Sequence, residues 1–401
     1  MILVADFGTS FLKAGLVDCN GTLVSVKKLS FAASSNEFTD TSVWLKAFSD
    51  VLDSLCVKER RIDCIILSGN GPTLAPSCGG KAFLYGFNGA EEEATFIREK
   101  TGLSFLPSMF LPKALYIKNR LPELWNRAQY FFSTPEFISF KLTGVARTVL
   151  ALEGLEKWYW NDELLKALNL NCDKFPPFIK TGEFLGEVTA EASALFGLKA
   201  GTPVLAGCPD FVCAIIGSGA MHPTMLCNRS GSSEGINYCA EKPVKDPYYM
   251  CYRHPNGKDW NISAVISRGF IELDKLMVEH GFSKMSYEKM FEYLKTQDGA
   301  DSQAIKSFCI KLCNEVGALI KKVADGPVSE IRITGGPSAS DYLNQLKADI
   351  TGTKVSVPEC SEVGLSGLGI LALSSLNREN ITEVADRVVQ VGKTYLPSEK
   401  G

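Results

Sequence analysis

The sequence has few histidines, no paired-cysteine motif and no long apolar run. Its three histidines are far apart, and none of the 13 cysteines forms a Cys-x-x-Cys pair, so a structural zinc site is not indicated. Scattered cysteines are typical of reduced thiols in a core. No segment approaches the roughly 18 apolar residues of a membrane span, and Met1 leads directly into a predicted strand rather than a signal peptide. We therefore expect a cytoplasmic protein with no membrane partner.

An excess of positive charge is also missing. Lysine and arginine number 42 against 45 acidic residues, and the formal net charge is −3. A nucleic-acid partner would require a basic face, so none is expected. The 401 residues, 45% of them hydrophobic, are enough for about two to three domains with real cores.

Residues 203–235 combine a single acid with turns of small residues. A short apolar strand at 204–206 runs into a Gly-Cys-Pro turn, and Asp210 follows at the start of a predicted helix. A second turn, Gly231-Ser232-Ser233, comes roughly twenty residues later. This arrangement is typical of phosphoryl transfer, in which an acid takes the proton of an attacking hydroxyl and backbone N–H groups bind phosphate. The alternative is that Asp210 only caps the helix.

A second acid, Asp6, ends an apolar strand near the N-terminus. A buried carboxylate is unfavourable unless it meets a cation or hydrogen-bond donors. The residues that follow, Gly8, Thr9 and Ser10, supply hydroxyls and N–H groups, and Lys13 lies just beyond. The turn is compatible with Mg²⁺ and phosphate, and an ordinary hairpin turn is the alternative.

Two more strands are predicted to end in ligand-sized turns. The strand at 62–68 precedes Asn70 and Thr73, which could recognise hydroxyl groups or only shape the turn. The strand at 330–334 runs into Gly335-Gly336 before a helix at 341–351. Paired glycines let a ligand approach the backbone, although a plain strand-to-helix turn is equally compatible.

The order of elements predicts an α/β protein with a weak internal duplication. Each half begins with strand, small-residue turn and strand, and continues with alternating strands and helices. Helices are also predicted at 125–130 and 158–169, and the segment 268–301 is interpreted as polar helix.

Read in order, these motifs resemble the FGGY family of carbohydrate kinases over nearly the whole chain. The resemblance is carried by DFGTSFLKAGLVD at 6–18, SGNGP at 68–72, GTPVLAGCPD at 201–210, RSGSSEG at 229–235 and ITGGPSASDYLNQLKADITGTKV at 333–355. It implies two ribonuclease-H-like α/β domains of the actin–hexokinase superfamily with a cleft between them. Residues 1–220 would bind sugar and carry the catalytic acid, and residues 221–401 would form a shortened nucleotide-binding domain.

The resemblance also implies an ATP-dependent kinase acting on a sugar or polyol hydroxyl. Asp210 would be the general base and Asp6 would hold Mg²⁺, while Asn70 and Tyr85 would contact the substrate. The residues implied to contact ATP are Thr9, Ser10, Lys13, Gly231, Ser232, Ser233, Gly335, Gly336 and Asn344.

The chain departs from the family pattern at the predicted substrate loops and in length. Asn70-Gly71-Pro72 stands where xylulose kinases carry Gln-Met-His, and Tyr85-Gly86-Phe87 replaces Trp-x-Asp. In the segment 268–301 the family's Pro-rich stretch and a nucleotide-contacting turn are not recognisable. The alternative is therefore a non-catalytic or regulatory ligand-binding protein on the same scaffold. A homodimer is compatible with either hypothesis.

Overall fold

The computed structural model describes residues 1–31, 35–231, 233–246, 248–267, 269–296, 299–324 and 326–398. Its contacts divide the chain into two compact units. The first comprises Met1–Cys213 and Gly364–Glu379, and the second comprises Ala214–Val363 and Asn380–Gly401. The functional domains predicted from the sequence, 1–220 and 221–401, stay a prediction. Within the described ranges, no helix has both the length and the apolar character needed to cross a membrane.

The first unit is built on a mixed sheet with helices packed on it. Its strands are β1 (Ile2–Phe7), β2 (Phe11–Val17), β3 (Leu23–Ser30), β4 (Phe38–Asp40), β5 (Cys64–Gly69), β6 (Ala75–Pro76), β7 (Lys81–Phe83), β8 (Phe131–Phe132), β9 (Thr148–Leu150), β10 (Phe178–Lys180), β11 (Phe184–Glu187) and β12 (Pro203–Pro209). Its helices are α1 (Thr41–Ser54), α2 (Glu91–Thr101), α3 (Phe110–Arg120), α4 (Pro122–Arg127), α5 (Thr134–Thr143), α6 (Asp162–Ala167), α7 (Ala190–Phe196) and the start of α8 (Asp210–Ser218).

The main sheet of this unit has the strand order β11-β12-β5-β1-β2-β3. β1 pairs antiparallel with β2 but parallel with β5, and β5 pairs parallel with β12. Every residue of β5 is buried, as expected for a parallel strand covered on both faces. β3, at the edge, keeps most of its residues exposed or half-buried. Helix α1 begins where the Asp40 side chain accepts a hydrogen bond from the Ser42 N–H, and it buries Trp44 and Phe48 in the core.

The second unit is also an α/β structure. Its strands are β13 (Met225–Ser230), β14 (Glu234–Ala240), β15 (Met250–Arg253), β16 (Trp260–Ile266), β17 (Glu330–Thr334), β18 (Val355–Pro358) and β19 (Val391–Tyr395). Its helices are α9 (Phe270–Glu279), α10 (Tyr287–Lys295), α11 (Ala300–Val323), α12 (Asp341–Thr351) and α14 (Ile381–Val388), whereas α13 (Val363–Asn377) returns to the first unit.

The sheet of the second unit repeats the topology of the first. Its order is β15-β16-β14-β13-β17-β18-β19. An antiparallel set, β16-β14-β13, is followed by the parallel strands β17 and β18 and an antiparallel edge strand. The set β3-β2-β1-β5-β12-β11 has the same orientations. The predicted α/β class and internal duplication are therefore confirmed.

Helices α9, α10 and α11 form an apolar layer beside the second sheet. Their buried side chains, with one from the loop between α9 and α10 and one from α12, make a separate core cluster. It comprises Phe270, Leu273, Met277, Phe282, Met290, Phe291, Leu294, Ile305, Cys309, Leu312 and Leu343. The expectation of polar helix in the segment 268–301 is therefore wrong for its described residues. The polar residues that suggested it lie on the outer faces of these helices.

Candidate functional site

Three parallel strands of the first unit end at one edge of its sheet. In the register of these strands, Phe7 lies beside Gly69, and Gly69 lies beside Pro209. Adjacent strands are about 4.8 Å apart, so the backbones of β1 and β12, on either side of β5, are separated by about 10 Å. Asp6 comes one residue before Phe7, and Asp210 comes one residue after Pro209. The topology therefore brings both predicted acids to the same sheet edge.

The turn after Asp6 is closed by backbone hydrogen bonds and is linked to the neighbouring loop. The Gly8 N–H donates to the Phe11 carbonyl at 2.9 Å. The Asn70 N–H donates to the Phe7 carbonyl at 3.0 Å, and the Asn70 side-chain amide donates to the Thr9 hydroxyl. The predicted substrate residue Asn70 and the predicted phosphate turn are thus one hydrogen-bonded unit.

Two other members of this predicted turn have defined places. Lys13 lies opposite Asp6 in the antiparallel pair of β1 and β2. Ser10 is exposed at the tip of the turn, and its carbonyl accepts a hydrogen bond from the Phe31 N–H at 3.1 Å. Lys13 is therefore the cross-strand neighbour of Asp6, and the half-buried Thr9 and the exposed Ser10 follow Asp6 in the turn.

Asp210 is the first residue of α8 and is half-buried. Its Oδ1 accepts a hydrogen bond from the Phe211 N–H at 2.6 Å. A capping side chain accepts instead from an N–H two or three residues further on, so this contact with the next residue is not the one expected of a helix-capping acid. A role as base is compatible with it, because a carboxylate has two oxygens with several lone pairs.

Two buried thiols flank Asp210 along the chain. Cys208 and Cys213 have their sulfur atoms 3.1 Å apart, and Cys213 also lies 3.3 Å from the Ser68 hydroxyl. Burial raises the pKa of the Cys213 thiol well above its usual value. This thiol is therefore protonated at neutral pH, and a nucleophilic role for it is disfavoured.

The remaining substrate candidates of the first unit differ in what they do. Thr73 is buried, and its hydroxyl accepts a hydrogen bond from the Thr134 N–H at 2.9 Å, so this residue shapes the turn. Tyr85 is 55% exposed in the loop that follows β7. Its exposure leaves the ring accessible to a ligand.

In the second unit, glycines of two other segments pack closely against the turn between β13 and β14. Of its predicted phosphate-binding residues, Gly231 and Ser233 are described, and Ser232 lies outside the described residues. Gly335 has φ +95°, and a Cβ there would come within 2.0 Å of the Ser230 carbonyl oxygen. A Cβ on Gly269 would come within 2.7 Å of the Ser233 carbonyl carbon. Only glycine fits at either position, so both neighbouring backbones approach this turn closely.

The predicted nucleotide residues Gly336 and Asn344 lie beside this turn and on α12. The Asn344 side chain is buried, and its amide donates to the Ser338 carbonyl at 2.8 Å, which fixes the short 3₁₀ turn Gly336–Ala339. A cavity of about 390 Å³ opens at Gly336. It is lined by Asp274, Met277, Val278, Ser283, Met285, Ser286, Tyr287, Glu288, Gly336 and Ala339.

A buried ion pair that the sequence analysis missed lies under the turn between β13 and β14. Glu234, the first residue of β14, is 0% exposed, and Lys347 of α12 is 1% exposed. The Lys347 ammonium lies 3.1 Å from both Glu234 oxygens and 2.7 Å from the Asn228 side-chain oxygen. The signal for Lys347 was its spacing, since the buried residues of α12 include Leu343, Asn344, Lys347 and Ala348.

Comparison with known proteins places these features in a family. The model of the N-terminal domain of the FGGY family of carbohydrate kinases matches residues 89–217, and the model of its C-terminal domain matches residues 303–376. Together they cover about half of the chain. The chain belongs to the FGGY family of carbohydrate kinases.

Individual relatives agree with this membership. A gluconokinase from Bacillus licheniformis is 22% identical over 358 residues, which cover 76% of this chain and 70% of that protein. A xylulose kinase from Staphylococcus epidermidis is 25% identical over 262 residues, which cover 59% of this chain and 53% of that protein. The solved structure of a gluconate kinase from Lactobacillus acidophilus has a TM-score of 0.83 at 19% identity, covering 100% of this chain and 94% of that one. The predicted fold class is thereby confirmed, and the enzyme class is carbohydrate kinase, for which ATP is the family's phosphate donor.

The family models do not reach every candidate residue. Asp210, Gly335, Gly336 and Asn344 lie within the matched ranges, whereas the turn after Asp6, with Asn70 and the turn at 231–233, lies outside them. The roles of the latter residues rest on their positions in the two sheets. All the residue roles inferred from the sequence stay predictions.

The residues around Asp6 fit a magnesium ion that is bound together with a phosphate ligand. Among the described residues there is no cluster of three or more His, Cys, Asp or Glu side chains suited to a metal ion. Mg²⁺ in phosphoryl-transfer sites is held by one or two carboxylates together with water and substrate phosphates. Asp6 provides one carboxylate and Thr9 and Ser10 provide hydroxyls, which is a donor set of that kind.

Proposed function

We propose that this FGGY kinase transfers the γ-phosphoryl group of ATP to a hydroxyl group of a sugar or polyol, with Asp210 as the general base. The observation that carries the proposal is the common sheet edge at which Asp6, Asn70 and Asp210 emerge from parallel strands. Ligands of open α/β sheets bind at the carboxyl ends of the strands.

In this mechanism Asp210 accepts the proton of the attacking hydroxyl. The hydroxyl oxygen then forms a bond to the γ-phosphorus while the bond to the β-phosphate oxygen breaks, and ADP leaves. Asn70 and Tyr85 position the substrate, and the hydroxyls and N–H groups of Thr9 and Ser10 face phosphate oxygens. Bound Mg²⁺, held through Asp6, supplies charge neutralisation to the phosphates.

The nucleotide is proposed to bind to the second unit at Gly335 and Gly336, with the 390 Å³ cavity beside Gly336 receiving its base. The apolar lining from Met277, Val278 and Met285 suits a flat ring. Phosphates would bind at the turn at 231–233, which is closed by the Gly231 N–H donating to the Ser233 carbonyl at 3.0 Å. A homodimer and a cytoplasmic location stay predictions from the sequence.

The proposal is tested by ADP release in the presence of MgATP and D-gluconate, D-xylulose or glycerol. Release that depends on one of these acceptors is expected. Asp210→Asn should lower kcat by about 10²–10⁴, the usual contribution of a positioned general base. Asp162→Asn, which alters an exposed acid at the start of α6, is the matched control and should leave kcat unchanged. Wild-type turnover by Asp210→Asn would assign the base to another residue.

A further inference from the structure

Helix α3 presents a lysine, Lys113, to the interior of the first unit. Its side chain is 0% exposed and is among the largest fully buried side chains in the described chain. It lies in a stretch of α3 that is otherwise apolar, between Pro112 and Ala114. A lysine in such a place needs partners for its ammonium group, because burial of an unpaired charge is very unfavourable.

The partners of Lys113 are two backbone carbonyl groups. The ammonium donates to the Pro72 carbonyl at 2.7 Å and to the Leu84 carbonyl at 2.7 Å. Pro72 belongs to the loop that follows β5, and Leu84 to the loop that follows β7. These loops carry Asn70 and Tyr85, the two residues proposed to face the substrate. One side chain therefore spans both substrate loops.

The loop that follows β5 also meets the end of β7 through an isolated backbone bridge. Leu74 and Phe83 exchange hydrogen bonds, with the Leu74 N–H donating at 2.8 Å and the Phe83 N–H at 2.9 Å. Lys113 provides a further link next to this bridge, since Pro72 lies two residues before Leu74 and Leu84 lies one residue after Phe83. Its position fixes how far apart the two loops stand.

Burial of the Lys113 ammonium group lowers the stability of the folded chain. Burial lowers the pKa of Lys113 to about 7, because the charged form is poorly solvated there. Methionine, of similar length and without charge, would fill the same space without that cost. The value of the lysine therefore lies in its hydrogen bonds to the two loops rather than in packing.

We propose that Lys113 is a positioning residue that sets the separation of the loops carrying Asn70 and Tyr85, and so determines which sugar or polyol the enzyme accepts. The specificity part of this inference rests on the proposed kinase function. The structural part, a link between two loops, is independent of it.

The loop link is tested by hydrogen exchange in Lys113→Met, with Lys118→Met as the matched control. Lys118 lies on the same helix and also donates to a carbonyl, that of Asn169, but at an exposed position. We expect faster exchange of the Leu74 and Leu84 amides in Lys113→Met and no change in Lys118→Met. Unchanged exchange at both amides in Lys113→Met would overturn the link, whatever the enzyme's activity.

The specificity part is tested by steady-state kinetics with the acceptor that gives ADP release. In Lys113→Met the KM for the acceptor should rise by about 10- to 100-fold, since small displacements of substrate-positioning groups have effects of this size. The KM for ATP should stay within about twofold. Lys113→Arg, which retains hydrogen-bond donors, should recover part of the loss. Equal increases of both KM values, or no increase, would overturn a role in specificity.

The loop link and the specificity role can be refuted independently of each other. If D-gluconate, D-xylulose and glycerol all give no ADP release, the kinase proposal and the specificity part fail together, while altered exchange still supports the loop link. If Lys113→Met does not fold, Lys113→Leu, which also removes the donor, is measured in the same way against Lys118→Leu.

Discussion

Replacement of Lys347 by methionine should destabilise the second unit strongly, because it leaves the charge of Glu234 buried without its cation. Both side chains are almost fully buried, and the ammonium lies 3.1 Å from both carboxylate oxygens. In the variant Glu234 keeps hydrogen bonds from the Asn228 amide at 2.6 Å and from the Ser230 hydroxyl. These two donors stabilise a carboxylate but do not balance its charge.

The expected decrease in the free energy of unfolding can be estimated from the cost of breaking a buried ion pair. Removal of one partner costs about 3–5 kcal/mol, and the donors that remain to Glu234 place the expectation near 3 kcal/mol. Glu234→Gln should also destabilise, because it leaves the Lys347 charge. The double variant Lys347→Met/Glu234→Gln has no buried charge, so its loss should be about 1 kcal/mol. The coupling between the two positions is then several kcal/mol.

Differential scanning calorimetry of the four proteins gives this coupling. A loss of 3–5 kcal/mol corresponds to a decrease in Tm of roughly 6–20 °C for a unit of this size. The matched control is Lys393→Met, which breaks the exposed pair with Asp341 in the same unit and should lower Tm far less than Lys347→Met does. If the single substitutions each cost less than 1 kcal/mol and their effects add, the buried pair does not act as described.

Two further predictions concern the metal and the pH dependence of folding. Asp6→Ala should abolish the binding of Mg·ADP measured by calorimetry, whereas Asp18→Ala, in the next turn of the same unit, should not; unchanged Mg·ADP affinity in Asp6→Ala would remove this acid from the site. Burial lowers the pKa of His254 to about 3, below the usual 6.5, so the unfolded chain binds a proton that the folded chain does not. Stability should therefore fall as the pH decreases from about 6.5 towards 3, by up to about 1.4 kcal/mol per pH unit. His254→Gln should flatten that decrease in urea titrations, and an equally steep decrease in the variant would contradict the assignment.

Much of the second unit could be predicted from the sequence because local signals agree with the fold there. The strand Glu330–Thr334 and the helix Asp341–Thr351 have the bounds expected from their residues. The strand has three β-branched residues among its five and is followed by paired glycines. The helix is preceded by Ser340, whose hydroxyl accepts a hydrogen bond from the Leu343 N–H.

Two helices were predicted with wrong bounds, one because a contact with a distant residue decides where it ends and the other because a local cap decides where it begins. The helix expected at 125–130 stops at Arg127. The Gln129 and Tyr130 N–H groups donate instead to the Ser77 hydroxyl, each at 3.0 Å. The helix expected at 158–169 begins only at Asp162, where Asn161 caps it by accepting from the Leu164 N–H at 2.8 Å.

Some residues of the candidate site could be predicted from the sequence and others could not. Asp6 and Asp210 could be found from the sequence, because each is a lone acid at the end of an apolar strand. Lys113 and Lys347 could not be assigned partners, because these lie 29 to 119 residues away, and the cation that pairs with Glu234 lies 113 residues away. The sequence signal they leave is a charged residue at a position that the periodicity of its element assigns to the interior.

The two buried lysines show different ways of fixing a loop beside a proposed ligand site. Lys347 is neutralised by a carboxylate, so its removal uncovers an opposite charge and the loss should appear mainly as lower stability. Lys113 is bound only to carbonyl dipoles among its described partners, so its removal also removes the buried charge, and the two effects on stability oppose each other. Loop mobility and acceptor KM should therefore respond to Lys113→Met more than Tm does. A variant of Lys113 that lost stability as strongly as Lys347→Met, with unchanged loop exchange, would show that both lysines serve the core alone.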